Sequence, residues 1–451
     1  MYKKDQVLIV DIVDMTDKGD GIGKVDNYTV FVDGGVLGDK LEVKLTKVKK
    51  NYAQAVLLNI IEKSDIRCED SCDKSDCGGC QIGHIKYEEQ LKIKTKIVKD
   101  CLDRIGKIKD YVLHETIGME NPYRYRNKAQ FPVSFKNNES VIGFYKKKSH
   151  EIVPCYECKI QHEINDRVVK IVKEWLDEFN IRIYDEKKHK GIVRHIVTKY
   201  GFYTDELMVI IVTNGKKLPY YDILLNRLKE IKELKTVVHN INSDKTNRIL
   251  GFENVNIYGN GIIRDYIGDL IFEISPLSFF QVNPVQTKKL YDKALEYANL
   301  SKDEEVFDIY CGLGSISLFL ARASKHVIGV EIVEEAIKAA KKNAKLNNIT
   351  NVDFYAGKAE DVFLKLHDEG NKASTVVVDP PRKGCDESVI NCILDMKPNK
   401  VVYVSCNPST LARDLSLLEQ GGYKVQEVQP VDMFPHSMHV ETVVKLQRQK
   451  H

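Results

Sequence analysis

The sequence has no apolar run long enough to cross a bilayer: stretches such as 207–212 are strand-length, whereas a membrane helix needs about 20 residues. The opening MYKKDQVLIV lacks signal-peptide architecture, so a soluble cytoplasmic protein is expected, neither inserted in a membrane nor secreted. An excess of one charge is missing too. Lys and Arg number 68 against 65 Asp and Glu, a net +3, so bulk charge does not announce a nucleic-acid binder and only its distribution could. There is no internal repeat and no low-complexity tract. What remains is a 451-residue chain, 43% hydrophobic and 29% charged, ordinary for a globular protein and long enough for about three domains. Its eleven cysteines are many for a cytoplasmic protein, where clustered thiols mean metal or catalysis more often than disulfides.

The first 61 residues alternate as strands at 7–13, 29–32, 40–48 and 52–61, with glycine-rich turns between them, which predicts a small β-barrel. Gly19, Gly21 and Gly23 mimic a phosphate loop, but no helical pattern follows, so a hairpin turn is the reading. A cysteine-rich loop covers 68–80, and an amphipathic helix is expected over 87–105. Residues 122–270 mix short strands with helical patterns at 165–179 and 220–234, an α+β domain. From about 276 the βαβ rhythm of an α/β open parallel sheet takes over. The expected domains are therefore 1–61, 62–270 and 271–451, with the stretch 90–121 free to pack on the third.

Four apolar runs in the last third end in pointed chemistry: 305–307 leads to Asp308, 326–330 to Glu331, 375–378 to Asp379, and 401–404 to Ser405 and Cys406. In doubly wound sheets the ligand crevice lies outside the carboxyl ends of the strands, so these residues should converge. After Asp308 come Gly312 and Gly314, with Ser317 where a dinucleotide loop has its third glycine; this weakens a pyrophosphate reading but leaves a phosphate-free nucleoside. Glu331, 23 residues after Asp308, stands where a carboxylate holds ribose hydroxyls, a pattern that suits S-adenosylmethionine and NAD about equally. Asp379-Pro380-Pro381-Arg382 holds its aspartate rigidly. Cys406 sits before a helix expected from about Ser409, whose positive end should favour the thiolate over a thiol of pKa about 8.5. Glu441, just ahead of the final strand expected at 442–446, is a candidate general base; His436 and His439 beside it lack a third ligand for catalytic zinc.

In this order, with FFQVNPVQ ahead of them, DIYCGLGSISL, DPPRKG, SCNPSTLARD and FPHSMHVE closely resemble the RNA uracil-5-methyltransferase family, which methylates uridines of ribosomal RNA and tRNA. The resemblance implies a Rossmann-like S-adenosylmethionine methyltransferase domain, an N-terminal TRAM barrel of OB-like form and a central α+β iron-sulfur domain. It also implies that Gln281, Tyr310, Glu331 and Asp379 line the S-adenosylmethionine site, that Cys406 is the nucleophile and that Glu441 is the base. Where many ribosomal RNA members have asparagine, this chain has Ser315.

Cys72, Cys77 and Cys80 are spaced C-x4-C-x2-C, and Cys158 lies 78 residues further on. Four thiolates suit zinc or an iron-sulfur cluster, and the spacing by itself fits a two-iron ferredoxin. The family resemblance implies a four-iron cluster on Cys72, Cys77, Cys80 and Cys158, with Cys68 and Cys155 as alternative ligands. Residues 122–150 carry Arg124, Arg126, Lys128, Lys136, Lys146, Lys147 and Lys148 against Glu139 alone, interleaved with aromatics, a mixture that binds RNA phosphates and bases. The expected partner is RNA, ribosomal before transfer RNA, with no DNA and a monomeric protein. The alternatives are a tRNA uridine-5 or RNA cytosine-5 methyltransferase and, from another class, a non-catalytic iron-sulfur protein of ribosome assembly.

Overall fold

A computed structural model describes residues 2–69, 72, 76–147, 149–370 and 373–449. Among these residues no helix is long and apolar enough to cross a membrane. Five strands close the N-terminal barrel: Val7–Met15, Gly21–Val25, Tyr28–Asp33, Lys40–Val48 and Tyr52–Glu62. Alternate residues point inward, so Val10, Ile12, Val30, Val32, Leu41, Val43 and Leu45 are buried together. The glycine stretch that reads as a turn in the sequence is half turn and half strand. A Cβ at Gly23 would lie 2.0 Å from Val10 Cγ1, so the small barrel closes only because no side chain stands there.

The central sheet has seven strands in the order Glu253–Tyr258, Leu234–Ile241, Glu206–Thr213, Val193–Gly201, Lys128–Lys136, Glu139–Tyr145 and Ile152–Pro154. Helices Ile164–Glu178 and Tyr221–Leu228 cover one face through Val168, Val172, Trp175, Leu224 and Leu228. The second helix ends six residues before the 220–234 pattern does; a turn intervenes, and Leu234 already belongs to a strand. On the other face, Val197, Met208, Ile210, Val212 and Val238 share one buried core with Phe272, Leu290 and Leu318 of the C-terminal domain. A boundary near residue 270 thus crosses a continuous core.

The C-terminal sheet runs Val352–Ala356, His326–Glu331, Glu305–Ile309, Thr375–Val378, Lys400–Ser405, Glu441–Arg448, Tyr423–Val431 and Val112–Leu113. The first five are parallel, and Glu441–Arg448 is antiparallel to both its neighbours. Such strands read as continuous Val and Ile runs because both faces are buried. Val306, Val327, Val377 and Val402 enter one core, while Phe307, Ile328, Val376 and Val401 enter the other. The edge strand Val112–Leu113 comes from upstream of the central sheet and pairs in parallel with Tyr423–Val431. Glu305–Ile309 and Thr375–Val378 lie side by side at the point where strand order reverses, which is where such sheets open a crevice.

Candidate active site

Four chain segments build the crevice. After the strand Glu305–Ile309 the backbone turns sharply at Tyr310, whose φ of +68° is left-handed although it carries a side chain. Its N–H and that of Cys311 both reach Val330 O, at 2.9 and 3.1 Å, so the neighbouring strand enforces the turn. Gly314, at φ +82°, caps the helix Ser315–Ala321; a Cβ there would lie 2.9 Å from the Phe354 ring and 3.1 Å from Ala340 Cβ. Glu331, ending its strand, accepts from Gly312 N–H at 3.3 Å and Val333 N–H at 2.9 Å, which aims the carboxylate at the glycine loop.

Asp379 follows Thr375–Val378, and its N–H donates to Ile309 O at 3.3 Å. The loop after it is pinned to the cysteine loop: Asn407 Nδ2 donates to Arg382 O at 2.9 Å, and Thr410 Oγ1 to the same carbonyl at 3.3 Å. Asn407 also caps the helix Pro408–Gln420 by accepting from Ser409 N–H at 3.1 Å, and Cys406 lies just before it. Glu441 begins its strand beside this loop, where Ser405 pairs with Thr442.

These groups shift one another's protonation. Burial, then Glu441, then Asp379 push the Cys406 thiol up to about 12, opposed by Arg382. Burial and Asp379 raise Glu441 to about 8, again against Arg382. Burial raises Asp379 to about 7. Asp308 is also raised to about 7 by burial, Asp379 and Glu331; Ser317 Oγ donates to its Oδ2, and its Oδ1 has no partner. The expectation that the helix end lowers the thiol is therefore overturned. Loss of solvation and two nearby carboxylates outweigh a helix end worth about 0.3–1 kcal/mol. Among the described residues none of Asp308, Asp379 and Glu441 has an ion pair, and burial favours the protonated form of each.

Gln281 stands in the segment before the helix Pro284–Ala298, its carbonyl accepting from Asn127 Nδ2 at 3.0 Å. That helix supplies a residue the sequence pattern does not mark. Tyr291 is buried, its hydroxyl 2.8 Å from Ser315 Oγ, and the phenol is held neutral by burial and by Asp379, Asp308 and Glu441. It therefore sits within reach of three of the site's carboxyls. No local signal reveals it, since a tyrosine on an amphipathic helix reads as core.

The cysteine loop is brought toward Cys158. Cys77 is raised by burial and also by Cys158 and Cys72, and Cys80 is raised to about 12 by burial, Cys158 and Cys77. Cys155 and Cys158 are hydrogen-bonded to each other. Cys80 and Cys158 pack against the same small cluster, yet among the described residues no three His, Cys, Asp or Glu side chains are arranged to hold a metal ion. Cys68 is partly exposed, and its N–H bonds His84 O at 2.9 Å.

The basic patch is largely neutralised. Arg124 pairs with Asp166 at 2.6 Å, Lys136 with Glu151 at 3.2 Å, Lys146 with Asp76 at 3.0 Å, and Lys147 with Asp20 and Asp33 at 3.1 and 2.7 Å. Tyr125 and Phe131 are buried, and Phe144 packs on Phe131 with centroids 5.0 Å apart. Phe135 remains 63% exposed, while Lys148 lies outside the described residues.

Comparison with known proteins agrees with this geometry. The tRNA (Uracil-5-)-methyltransferase family model matches residues 86–449, and the TRAM domain model matches residues 3–58. The chain is 52% identical over 444 residues to an uncharacterized RNA methyltransferase of Clostridium tetani, covering 98% of this chain and 96% of that one. It is 52% identical to another from Caldanaerobacter subterraneus subsp. tengcongensis, covering 97% of each. The crystal structure of the Pyrococcus abyssi tRNA (uracil-54, C5)-methyltransferase with S-adenosyl-L-homocysteine matches at a TM-score of 0.79 and 29% identity, covering 97% of this chain and 99% of that one. A strand-end crevice with a thiol and carboxylates, behind an RNA-binding barrel, thus has its explanation: the chain belongs to the tRNA (uracil-5-)-methyltransferase family, the S-adenosylmethionine-dependent RNA uracil-5-methyltransferases, and carries a TRAM domain.

Proposed function

We propose that the protein methylates C5 of uridine in ribosomal RNA, with Cys406 as the nucleophile at C6 and Glu441 as the base for the C5 proton. The observation that carries this reading is one thiol beside two buried carboxyl groups, since Cys406 and Glu441 flank the paired Ser405 and Thr442 and Asp379 follows the strand next to that of Cys406. A cationic ligand would draw these carboxyls into their ionised forms, and the partnerless Asp308 Oδ1 fits a hydrogen-bond donor. S-adenosylmethionine supplies a methyl group on a positively charged sulfur, and Gln281, Tyr310, Glu331 and Asp379 are the residues that would hold it.

The residue types follow from the substrate. C5 of uracil is a poor nucleophile, and addition of the Cys406 thiolate at C6 places electron density on C5. Once C5 carries the methyl group, Glu441 takes the C5 proton, the C5–C6 double bond re-forms and Cys406 leaves as thiolate. Arg382 favours the ionised forms of both residues. The target base must leave its stack to reach them.

The ribosomal reading rests on the cysteine loop beside the barrel, and the likeness to the Pyrococcus tRNA enzyme supports transfer RNA as the second reading. Mapping of modified bases in a strain lacking the gene decides between them. Loss of 5-methyluridine from ribosomal RNA with tRNA intact is expected; loss from tRNA alone, or loss of 5-methylcytidine instead, overturns the proposal.

We also propose that Cys72, Cys77, Cys80 and Cys158 hold a four-iron cluster, supported by the C-x4-C-x2-C spacing and by the packing of Cys80 and Cys158 against one small buried cluster. Anaerobically purified protein should be brown, with about four irons and four sulfides per chain, and Cys158→Ser should lower both. Colourless protein with one zinc would rule this out. The reading is completed by a cytoplasmic monomer.

A further inference from the structure

The segment ahead of Glu441 has little regular structure, yet it is held from several sides. Asp432 is fully buried and accepts from Tyr87 Oη at 2.8 Å and Lys94 Nζ at 2.5 Å; Lys94 also donates to Phe434 O at 3.1 Å. Tyr125 Oη donates to Pro435 O at 3.0 Å. His436, left-handed at φ +69°, donates its backbone N–H to Gln90 Oε1 at 2.9 Å, and its Nδ1 lies 3.2 Å from Gln90 Nε2. A second set of contacts comes from the cysteine loop. Ile82 N–H donates to His436 O at 3.1 Å, and Gln81 Oε1 accepts Met438 N–H at 3.3 Å.

The other end of the Gln81 amide is also engaged. Gln81 Nε2 donates to Gly78 O at 2.7 Å, and Gly78 lies between Cys77 and Cys80. The two partners fix the amide's orientation, because an N–H needs an acceptor and a carbonyl needs a donor. One side chain thus spans the gap from the Cys77–Cys80 turn to a backbone three residues ahead of Glu441. The barrel closes on the same point. A Cβ at Gly19 would lie 3.2 Å from Gln81 Cβ and 3.3 Å from Met438 Cγ, and Val36, Ile82, Ile85 and Met438 form one small buried cluster.

We infer that Gln81 is a positioning residue that ties the geometry of the Cys77–Cys80 turn to the placement of Glu441, so that the state of this turn sets how fast the C5 proton is removed. The inference rests on the reading of Glu441 as the base. A base displaced by about 1 Å can lose about 10²-fold in rate, and the strand end carrying Glu441 is aimed by the segment Gln81 holds.

Single turnovers of the full-length protein test it, using RNA with tritium at uridine C5 and a labelled methyl donor, so that methyl transfer and proton release are timed separately. Gln81→Ala should leave methyl transfer within about threefold, slow tritium release about 10²-fold and accumulate a denaturation-resistant protein–RNA adduct. Cys77→Ser should show the same split alone and add nothing to Gln81→Ala, because both act through one link. If Gln81→Ala is insoluble, Gln81→Glu serves, since it keeps the acceptor for Met438 and loses the donor for Gly78; a smaller slowing confined to release is then expected. Equal slowing of both steps, or additive effects of the two substitutions, overturns the coupling. Glu441→Gln run alongside separates the failures. Normal release from it sinks the base reading, whereas a trapped adduct there with normal release from Gln81→Ala sinks only the role of Gln81.

Discussion

Cys406→Ala should end turnover, lowering the rate of methyl transfer by about 10⁴-fold or more, because without addition at C6 the ring carbon is not a nucleophile. The same change should abolish the covalent complex with RNA carrying 5-fluorouridine at the target. In the unaltered protein that complex should persist, because C5 then carries fluorine instead of a proton and the final elimination cannot run. Gel mobility after denaturation reads it directly. The site also names the thiol that would answer for Cys406 if the assignment were wrong. Cys101 Sγ lies 3.6 Å from Ser409 Oγ, in the first turn of the helix that follows Cys406, and is partly exposed. An adduct that survives Cys406→Ala but not Cys101→Ala would move the nucleophile there. Binding should change little, since alanine leaves the Asn407 cap in place.

The strand ends were readable in the sequence for a physical reason. Parallel strands with both faces buried leave only their ends free for chemistry, so Asp308, Glu331, Asp379 and Cys406 stood out against the Val and Ile runs before them. The structure places all four at one edge of the sheet. What sequence reasoning missed was set by partners far along the chain. The lysines of 122–150 look unopposed because Asp20, which meets Lys147, lies 127 residues away, and the acid facing Lys146 lies 70 residues away. Tyr291 looks like core because nothing local says its hydroxyl meets Ser315. The error over the Cys406 thiol has the same origin. A helix terminus is a local feature and was visible, whereas Asp379 and Glu441 come from other strands and act more strongly through a poorly solvated site.

Glu441→Gln should separate the two halves of the reaction. Its carboxylate is one cause of the raised Cys406 thiol, so removing the charge brings that thiol down and addition at C6 should proceed at least as readily. Release is the step that suffers. With no base for the C5 proton the methylated adduct cannot eliminate, and a positioned base is worth about 10²–10⁴-fold. The variant should therefore transfer one methyl group per active site and stop, leaving a protein–RNA band that carries the label. The pH dependence fixes the sign independently. Burial and Asp379 raise Glu441 to about 8, so in the unaltered protein the ionised base is scarce below that pH. The release rate should climb about tenfold per pH unit up to about 8 and flatten above it, and Gln at 441 should remove that limb. Asp379, lower at about 7, would place the bend about one unit earlier. A bend near 7 that persists in Glu441→Gln would therefore transfer the role of base to Asp379, which flanks the same thiol.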